Sequence, residues 1–269
     1  MSEGRTSVGG SGCYCDGGIQ MGNAVVHFEI GGPDDVPLRA FYGELFGWKL
    51  QSFEGGGYTL IDTCGGGGIN GGIGKSQTGE PWSTFYVEAS DLQAVLDKAE
   101  SLGAKTAMPV TDFGGAVVIA MFNDPDGLLV GLVKAADPAH GEPPGPSAGS
   151  GEPVDWFEVL GSDAGRTQRF YTELFGWTVG DDDSGTPPGY GMTDTGAGSG
   201  IQGGLGSSQE AHWATIYASV PDVEQTLAKA ESLGGSRVYG PRAVDDHMQT
   251  GAFRDPAGNV FGVYHHGAH

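Results

Sequence analysis

Cysteine, basic side chains and long apolar runs are all scarce in this chain of 269 residues. Its three cysteines, Cys13, Cys15 and Cys64, are too few for a disulfide framework. Cys13-Tyr14-Cys15 lies in a Gly/Ser-rich amino terminus, with no two further ligands nearby to complete a zinc site. Residues 1–22 therefore read as a disordered tail. Only 13 lysines and arginines stand against 34 acidic residues, a formal charge of −21. A polyanion gains no counterion-release energy from a phosphate backbone and is repelled by an anionic lipid surface. Neither nucleic acid nor membrane is expected as a partner, whereas a cationic small molecule would be attracted. No apolar run approaches the roughly 20 residues of a membrane span, and no signal-peptide core is present. The expected compartment is the cytoplasm.

Glycine is abundant instead, at 51 residues. There is no G-X-Y period and no long Gly/Ser tract, which excludes collagen and pure linker. Glycine scattered among apolar strands suits a turn-rich β protein, because tight turns need positive φ.

The chain is also written twice. "FYGELFGW" from Phe41 returns as "FYTELFGW" from Phe170, and "KAESLG" occurs from Lys98 and again from Lys229. "NDPDGLLVGLV" from Asn123 answers "RDPAGNVFGVY" from Arg254, and "PWSTFYVEASDL" from Pro81 answers "HWATIYASVPDV" from His212. Offsets of 129 to 131 residues mean tandem domains, not a solenoid of short repeats. We read residues 23–134 as domain 1, 135–152 as a Pro/Gly-rich linker, 153–265 as domain 2 and 266–269 as a second tail.

Within each copy the element order is legible. A β-rich run at 24–30 precedes Leu38, Phe41, Tyr42, Leu45 and Phe46, one apolar face of a helix that Gly47 ends. Strand-like segments follow, then a glycine-rich stretch at 65–74. The pattern restarts at Thr84, with Ser90 as expected N-cap of a second helix and three more strands behind it. Asp124-Pro125-Asp126-Gly127 is a tight turn between the last two. Each copy is thus predicted as β-α-β-β-β twice over.

Four motifs in this order, present twice, resemble the vicinal oxygen chelate superfamily, which includes glyoxalase I, extradiol dioxygenases and bleomycin-resistance proteins. The resemblance spans about residues 23–134 and 153–265. It implies an α+β fold of two tandem domains, each with two βαβββ modules forming a curved mixed sheet around a cavity. It implies a small-molecule ligand, and a chain acting as a monomer with an internal pseudo-dimer or as a homodimer. In metal-dependent members a divalent ion sits in the cavity on His and Glu side chains from the first and last strands of the modules, as Lewis acid.

Those slots are mostly empty of ligands here. The first-strand slots hold His27, Thr84, Trp156 and Thr215, and the last-strand slots, where a carboxylate is expected, hold Gly131 and Gly262. The remaining ones offer Asn70 and Gln202. One imidazole does not hold a divalent ion that prefers several ligands, so no cofactor is expected, with a divalent metal as the alternative. His212 and His247 read as surface residues, and His265, His266 and His269 as a frayed end.

Strand alternation supplies the candidate site. Val26, Phe28 and Ile30 are expected to pack on the helices, leaving His27 and Glu29 to line the cavity with Thr84, Tyr86 and Glu88 of the partner strand. In domain 2 the same parity turns Trp156, Glu158, Thr215 and Tyr217 inward. His27, Glu29 and Glu88 are the candidate catalytic residues, as acid/base groups. Thr84, Tyr86, Trp156, Glu158, Thr215 and Tyr217 are the candidate ligand-binding ones. The leading expectation is a metal-independent protein that binds or transforms an aromatic or cationic metabolite. The competing one is a metal-dependent glyoxalase- or dioxygenase-type enzyme with a rearranged site around His27.

Overall fold

The structure, a computed structural model, describes residues 23–53, 56–76, 78–135, 145–181 and 189–267. β1 (Val25–Gly32), α1 (Asp35–Phe46), β2 (Lys49–Ser52), β3 (Tyr58–Asp62) and β4 (Asn70–Lys75) form the first module. β5 (Trp82–Ala89), α2 (Leu92–Ser101), β6 (Lys105–Asp112), β7 (Val118–Asn123) and β8 (Leu129–Lys134) form the second. The third is β9 (Val154–Gly161), α3 (Ala164–Phe175), β10 (Thr178–Asp181), β11 (Gly191–Asp194) and β12 (Gln202–Ser207). The fourth is β13 (Trp213–Ser219), α4 (Val223–Ser232), β14 (Ser236–Ala243), β15 (Met248–Arg254) and β16 (Val260–His266).

Each copy makes one curved, mixed, eight-stranded sheet, in the orders β2-β3-β4-β1-β5-β8-β7-β6 and β10-β11-β12-β9-β13-β16-β15-β14. The first strands of the two modules, β1 and β5, pair antiparallel at the centre, and each pairs parallel with the last strand of its own module. The architecture is the expected α+β arrangement of two tandem domains. Among the described residues no helix is long and apolar enough to cross a membrane.

Local chemistry explains the helix limits. Asp34 accepts from the Val36 amide at the start of α1, and Gly47, at φ 71°, ends it in the left-handed conformation that glycine adopts without strain. Asp163 and Gly176 do the same for α3. The N-cap of α2 is Asp91 rather than Ser90: its carboxylate accepts from the Ala94 amide at 3.0 Å. A carboxylate gains more than a hydroxyl at the positive end of a helix.

Three other expectations change. Val25 pairs with Val87 and His27 with Tyr86, so Val26 is an extra residue, a β-bulge. Val25 therefore enters the core in place of Val26, which is half-buried. His265 and His266 belong to β16 rather than to a frayed end, His265 Nδ1 lying 2.9 Å from the Val220 carbonyl. The described part of the linker is docked: Ser147 donates to Asp62 at 2.6 Å and the Trp48 indole to the Glu152 carbonyl at 2.8 Å. Residues 1–22, 136–144 and 268–269, including Cys13, Cys15 and His269, lie outside the described residues.

The repeated motifs meet each other across the two copies. Tyr42 of the first "FY.ELFGW" donates to Asp255 of the second "DP.G" at 3.1 Å, and Tyr171 of the second donates to Asp124 of the first at 3.1 Å. Lys98 reaches the Leu174 carbonyl at the end of α3, while Lys229 reaches the carbonyls of Glu44 and Leu45 at the end of α1. Each lysine thus satisfies orphan carbonyls at the negative end of the other copy's helix. Backbone bridges Val25–Ile201 and Ile69–Val154 repeat the exchange.

The apolar contacts follow the same rule. Phe46 packs on Phe253 and Phe261 of domain 2, Phe175 on Phe122 of domain 1, and Phe85 meets Phe157 with centroids 4.9 Å apart. Each aromatic pair adds about 0.5–1.5 kcal/mol beyond its buried area. One hydrophobic core consequently runs through both domains. The interface is pseudo-symmetric, in the way the two halves of a twofold dimer contact with the same patch.

Candidate functional site

With the helices and the other domain on one side of each sheet, the opposite face forms a cup. In domain 1 its floor is β1 and β5, where His27 opposes Tyr86 and Glu29 opposes Thr84. Tyr86 donates a short hydrogen bond to Glu29 Oε2. Tyr58, from β3, also bonds Glu29, and its hydroxyl lies 3.1 Å from His27 Nε2. The structure thus brings His27, Glu29 and Tyr86 together and adds Tyr58. Glu88 sits half-buried beyond the bulge at the other end of β5, where its backbone joins Ala24 and Asn23.

Glycines make this packing possible. A Cβ on Gly72 would fall 2.0 Å from the Tyr58 hydroxyl, and one on Gly131 2.5 Å from the Tyr86 ring. Both tyrosines therefore lie across strands that carry no side chain at those points. Thr84 and Thr215 are fully buried, and their hydroxyls donate to the Leu129 and Val260 carbonyls at 2.8 and 2.7 Å. Expected to hold a ligand, they tie the sheet instead.

Burial sets the electrostatics. Glu29 is 9% exposed, and desolvation raises its pKa from 4.5 to about 7 against the pull of the Tyr86 and Tyr58 hydrogen bonds. His27 keeps some accessible surface, yet protein crowds its ring closely enough that burial lowers its pKa from 6.5 to about 4. Both tyrosines are pushed above their ordinary range, first by burial and then by the neighbouring Glu29 charge. At neutral pH His27 is uncharged and Glu29 is near half-titration. A neutral imidazole carries one donor and one acceptor nitrogen, and the Tyr58 hydroxyl stands between Nε2 and the Glu29 carboxyl.

The second cup keeps the carboxyl and changes its company. Glu158 accepts from Trp213 Nε1 at 2.8 Å and from Tyr217 at 2.6 Å, with Tyr190 as third donor. Trp156 replaces His27, in register with Tyr217. Glu158 keeps part of its surface open, but burial raises its pKa above the ordinary carboxylate value.

Among the described residues neither cup gathers the several donors that a divalent ion prefers. The Tyr86 and Tyr217 rings lie over Gly131 and Gly262, where the family's carboxylate would project. Asn70 and Gln202 use their side-chain oxygens on the amides of Thr63 and Thr195. Among the described residues no three His, Cys, Asp or Glu side chains converge as a metal site requires.

Tyr58 and Tyr190 are not among the expected site residues, because strand parity is applied only to β1, β5, β9 and β13. The signal was available: both copies place a tyrosine before the glycine-rich strand, in "GGGYTL" and "PPGYGM".

Comparison with known proteins agrees with this fold. The family model described as glyoxalase/bleomycin resistance protein/dioxygenase superfamily matches residues 24–132, and the glyoxalase-like domain matches residues 158–264. Putative glyoxylase CFP32 of Mycobacterium tuberculosis (strain CDC 1551 / Oshkosh) is 28% identical over 246 residues, covering 86% of this chain and 90% of its own. Anthracycline biosynthesis protein DauV of Streptomyces sp. (strain C5) is 26% identical over 230 residues, covering 78% and 81%. The Mn(II)-bound glyoxalase of Novosphingobium aromaticivorans shares the fold with a TM-score of 0.59 at 14% identity, covering 90% of this chain and 83% of that one. The chain belongs to the vicinal oxygen chelate superfamily, the glyoxalase/bleomycin resistance protein/dioxygenase group, with two tandem domains of that kind.

Proposed function

We propose that this is a metal-independent small-molecule protein that takes a flat aromatic metabolite into its first cup and exchanges a proton with it through Glu29. The observation that carries this reading is the bonded set of Glu29, Tyr86, Tyr58 and His27 on the cup floor. A carboxyl near half-titration at neutral pH gives and takes protons with little driving-force penalty. Neutral His27 sets one donor and one acceptor nitrogen beside it, and the ring of Tyr86 meets the imidazole edge-on at 5.8 Å. Relatives named for anthracycline biosynthesis support an aromatic natural product as the ligand class. Among the described residues the donors of the family's metal chemistry do not converge, and no step is assigned to a metal.

The test uses the full chain purified without added metal and titrated calorimetrically against planar phenols and hydroxyquinones. Saturable binding is expected, unchanged by a chelator and weakened about tenfold by Glu29→Gln, as loss of a charged hydrogen-bond partner implies. No binding across the panel, or a stoichiometric divalent ion lost on His27→Ala, overturns the reading.

A further inference from the structure

The second cup holds two carboxyls and a wall of aromatic rings. Around Glu158, Tyr217 meets the Tyr239 hydroxyl at 3.2 Å, and Tyr239 reaches Thr250 at 3.2 Å. The Trp213 and Tyr239 rings lie within 8° of parallel, their centroids 6.5 Å apart. Trp156 hydrogen-bonds Tyr190, adding a further half-buried indole. The second carboxyl is Asp155, the bulged residue of β9, which accepts from the Tyr264 hydroxyl at 2.9 Å. Alternation along β16 sets Tyr264 on the face of Gly262, which is the face Tyr217 covers.

Among the described residues neither carboxyl has a cationic partner. Arg166 pairs with Asp126, Arg237 with Glu224 and Glu231, and Arg254 with the Gly258 carbonyl, while Arg169 is exposed on α3. Arg242 is exposed on β14 and acts on Tyr239 through its charge. Every donor to Glu158 and Asp155 is neutral: phenols, an indole and, for Asp155, its own backbone amide. Enclosed carboxyls normally find a counter-charge, and electron-rich ring faces attract cations.

We infer that the second cup is a binding site for an organic cation, an ammonium group on an apolar or aromatic body. The ammonium sits against the ring faces of Trp156, Trp213 and Tyr239, with Glu158 and Asp155 as its counter-charge. A compact inorganic ion is a poor match, because rings rather than oxygens make up most of the wall. A neutral aromatic ligand would leave both carboxyls uncompensated. Burial raises the pKa of both, and an arriving cation favours their ionised forms, so binding releases protons. The inference shares with the proposed function only the premise that the cups receive ligands. It does not depend on Glu29.

The probe is benzyltrimethylammonium, titrated calorimetrically into the full chain at about 0.15 M salt, where diffuse attraction to the acidic surface is screened. Benzyl alcohol is the uncharged control. Saturable binding at one site is expected, about tenfold tighter than the control, with a heat that varies with the buffer's ionisation enthalpy. Glu158→Gln and Trp156→Leu should each weaken it about tenfold, and Glu29→Gln should leave it unchanged. Trp156 is only half-buried, so its variant carries the test where Glu158→Gln fails to fold. Equal affinity for benzyl alcohol, indifference to both second-cup variants, loss in Glu29→Gln, or no saturable binding overturns the inference. Loss in Glu29→Gln alone would still leave the reading of the first cup standing.

Discussion

The two cups are built from the same strands in the same order, yet their floors have diverged. Glu29 corresponds to Glu158, Tyr86 to Tyr217 and Tyr58 to Tyr190, but His27 stands where the second copy has Trp156. Val26, Met108 and Met121 stand where it has Asp155, Tyr239 and Ala252. The first cup holds a carboxyl beside an imidazole, and the second a carboxyl among aromatic rings with a second carboxyl nearby. The helical motifs have barely changed, because each copy's motif must fit the other's. Tyr42 needs Asp255 and Tyr171 needs Asp124, so neither partner of a pair is free to drift alone. The cup floors face no such partner.

Breaking the shared scaffold should produce the largest effects and equal ones. Phe46→Ala and Phe175→Ala remove equivalent rings, each 2% exposed, from the interdomain core. Each should cost about 3–5 kcal/mol in denaturant unfolding. Because the core is continuous, each variant should still unfold in a single transition. Two separated transitions, or effects confined to one domain, would show that the copies are independent after all.

The next effect separates the cups by pH. A carboxyl whose folded pKa is raised stays protonated while the unfolded chain ionises, so stability falls as pH rises between the two values. For Glu29 that window runs from about 4.5 to about 7. The difference in unfolding free energy between the wild type and Glu29→Gln should therefore decline across it, by on the order of 3 kcal/mol. The contribution of His27 runs the other way: its lowered pKa means stability is lost as pH falls from 6.5 toward about 4. It is present in both proteins and cancels in the difference. Glu158→Gln should show a decline in the same direction. A flat difference curve for Glu29→Gln would mean the carboxyl is not desolvated.

The smallest effect tests a small asymmetry. Lys229 reaches two carbonyls at the end of α1, at 2.6 and 3.2 Å, while Lys98 reaches one at the end of α3, at 3.1 Å. Lys229→Met should cost about 1 kcal/mol and Lys98→Met less, both fading in high salt. The reverse order would place the stronger clamp on the wrong copy.

How much of this was readable in advance differs by feature. The alternation that put His27, Glu29 and Tyr86 on one face held on β1 and β5. It failed one residue earlier, at Val26, because a bulge inserts a residue without leaving a compositional mark. Thr84 was placed on the right strand, but its use was not visible. Whether a hydroxyl meets a ligand or the Leu129 carbonyl depends on a strand 45 residues away. Tyr58 was missed although its repetition was in plain view, since a tyrosine in a strand reads equally as core or cup.

The sequence by itself determined the duplication, the order of elements and the glycine at which α1 ends. Those follow from residue identity and from the local periods of helix and strand, which short-range sterics enforce. The tertiary structure alone decided that each copy's motifs close on the other's, as Tyr42 does on Asp255 at a separation of 213 residues. It also decided that rings lie over Gly131 and Gly262, and that the carboxyls of the second cup meet only neutral donors. These are facts of distance between remote segments, set by how two packed sheets share one core, and no local pattern encodes them.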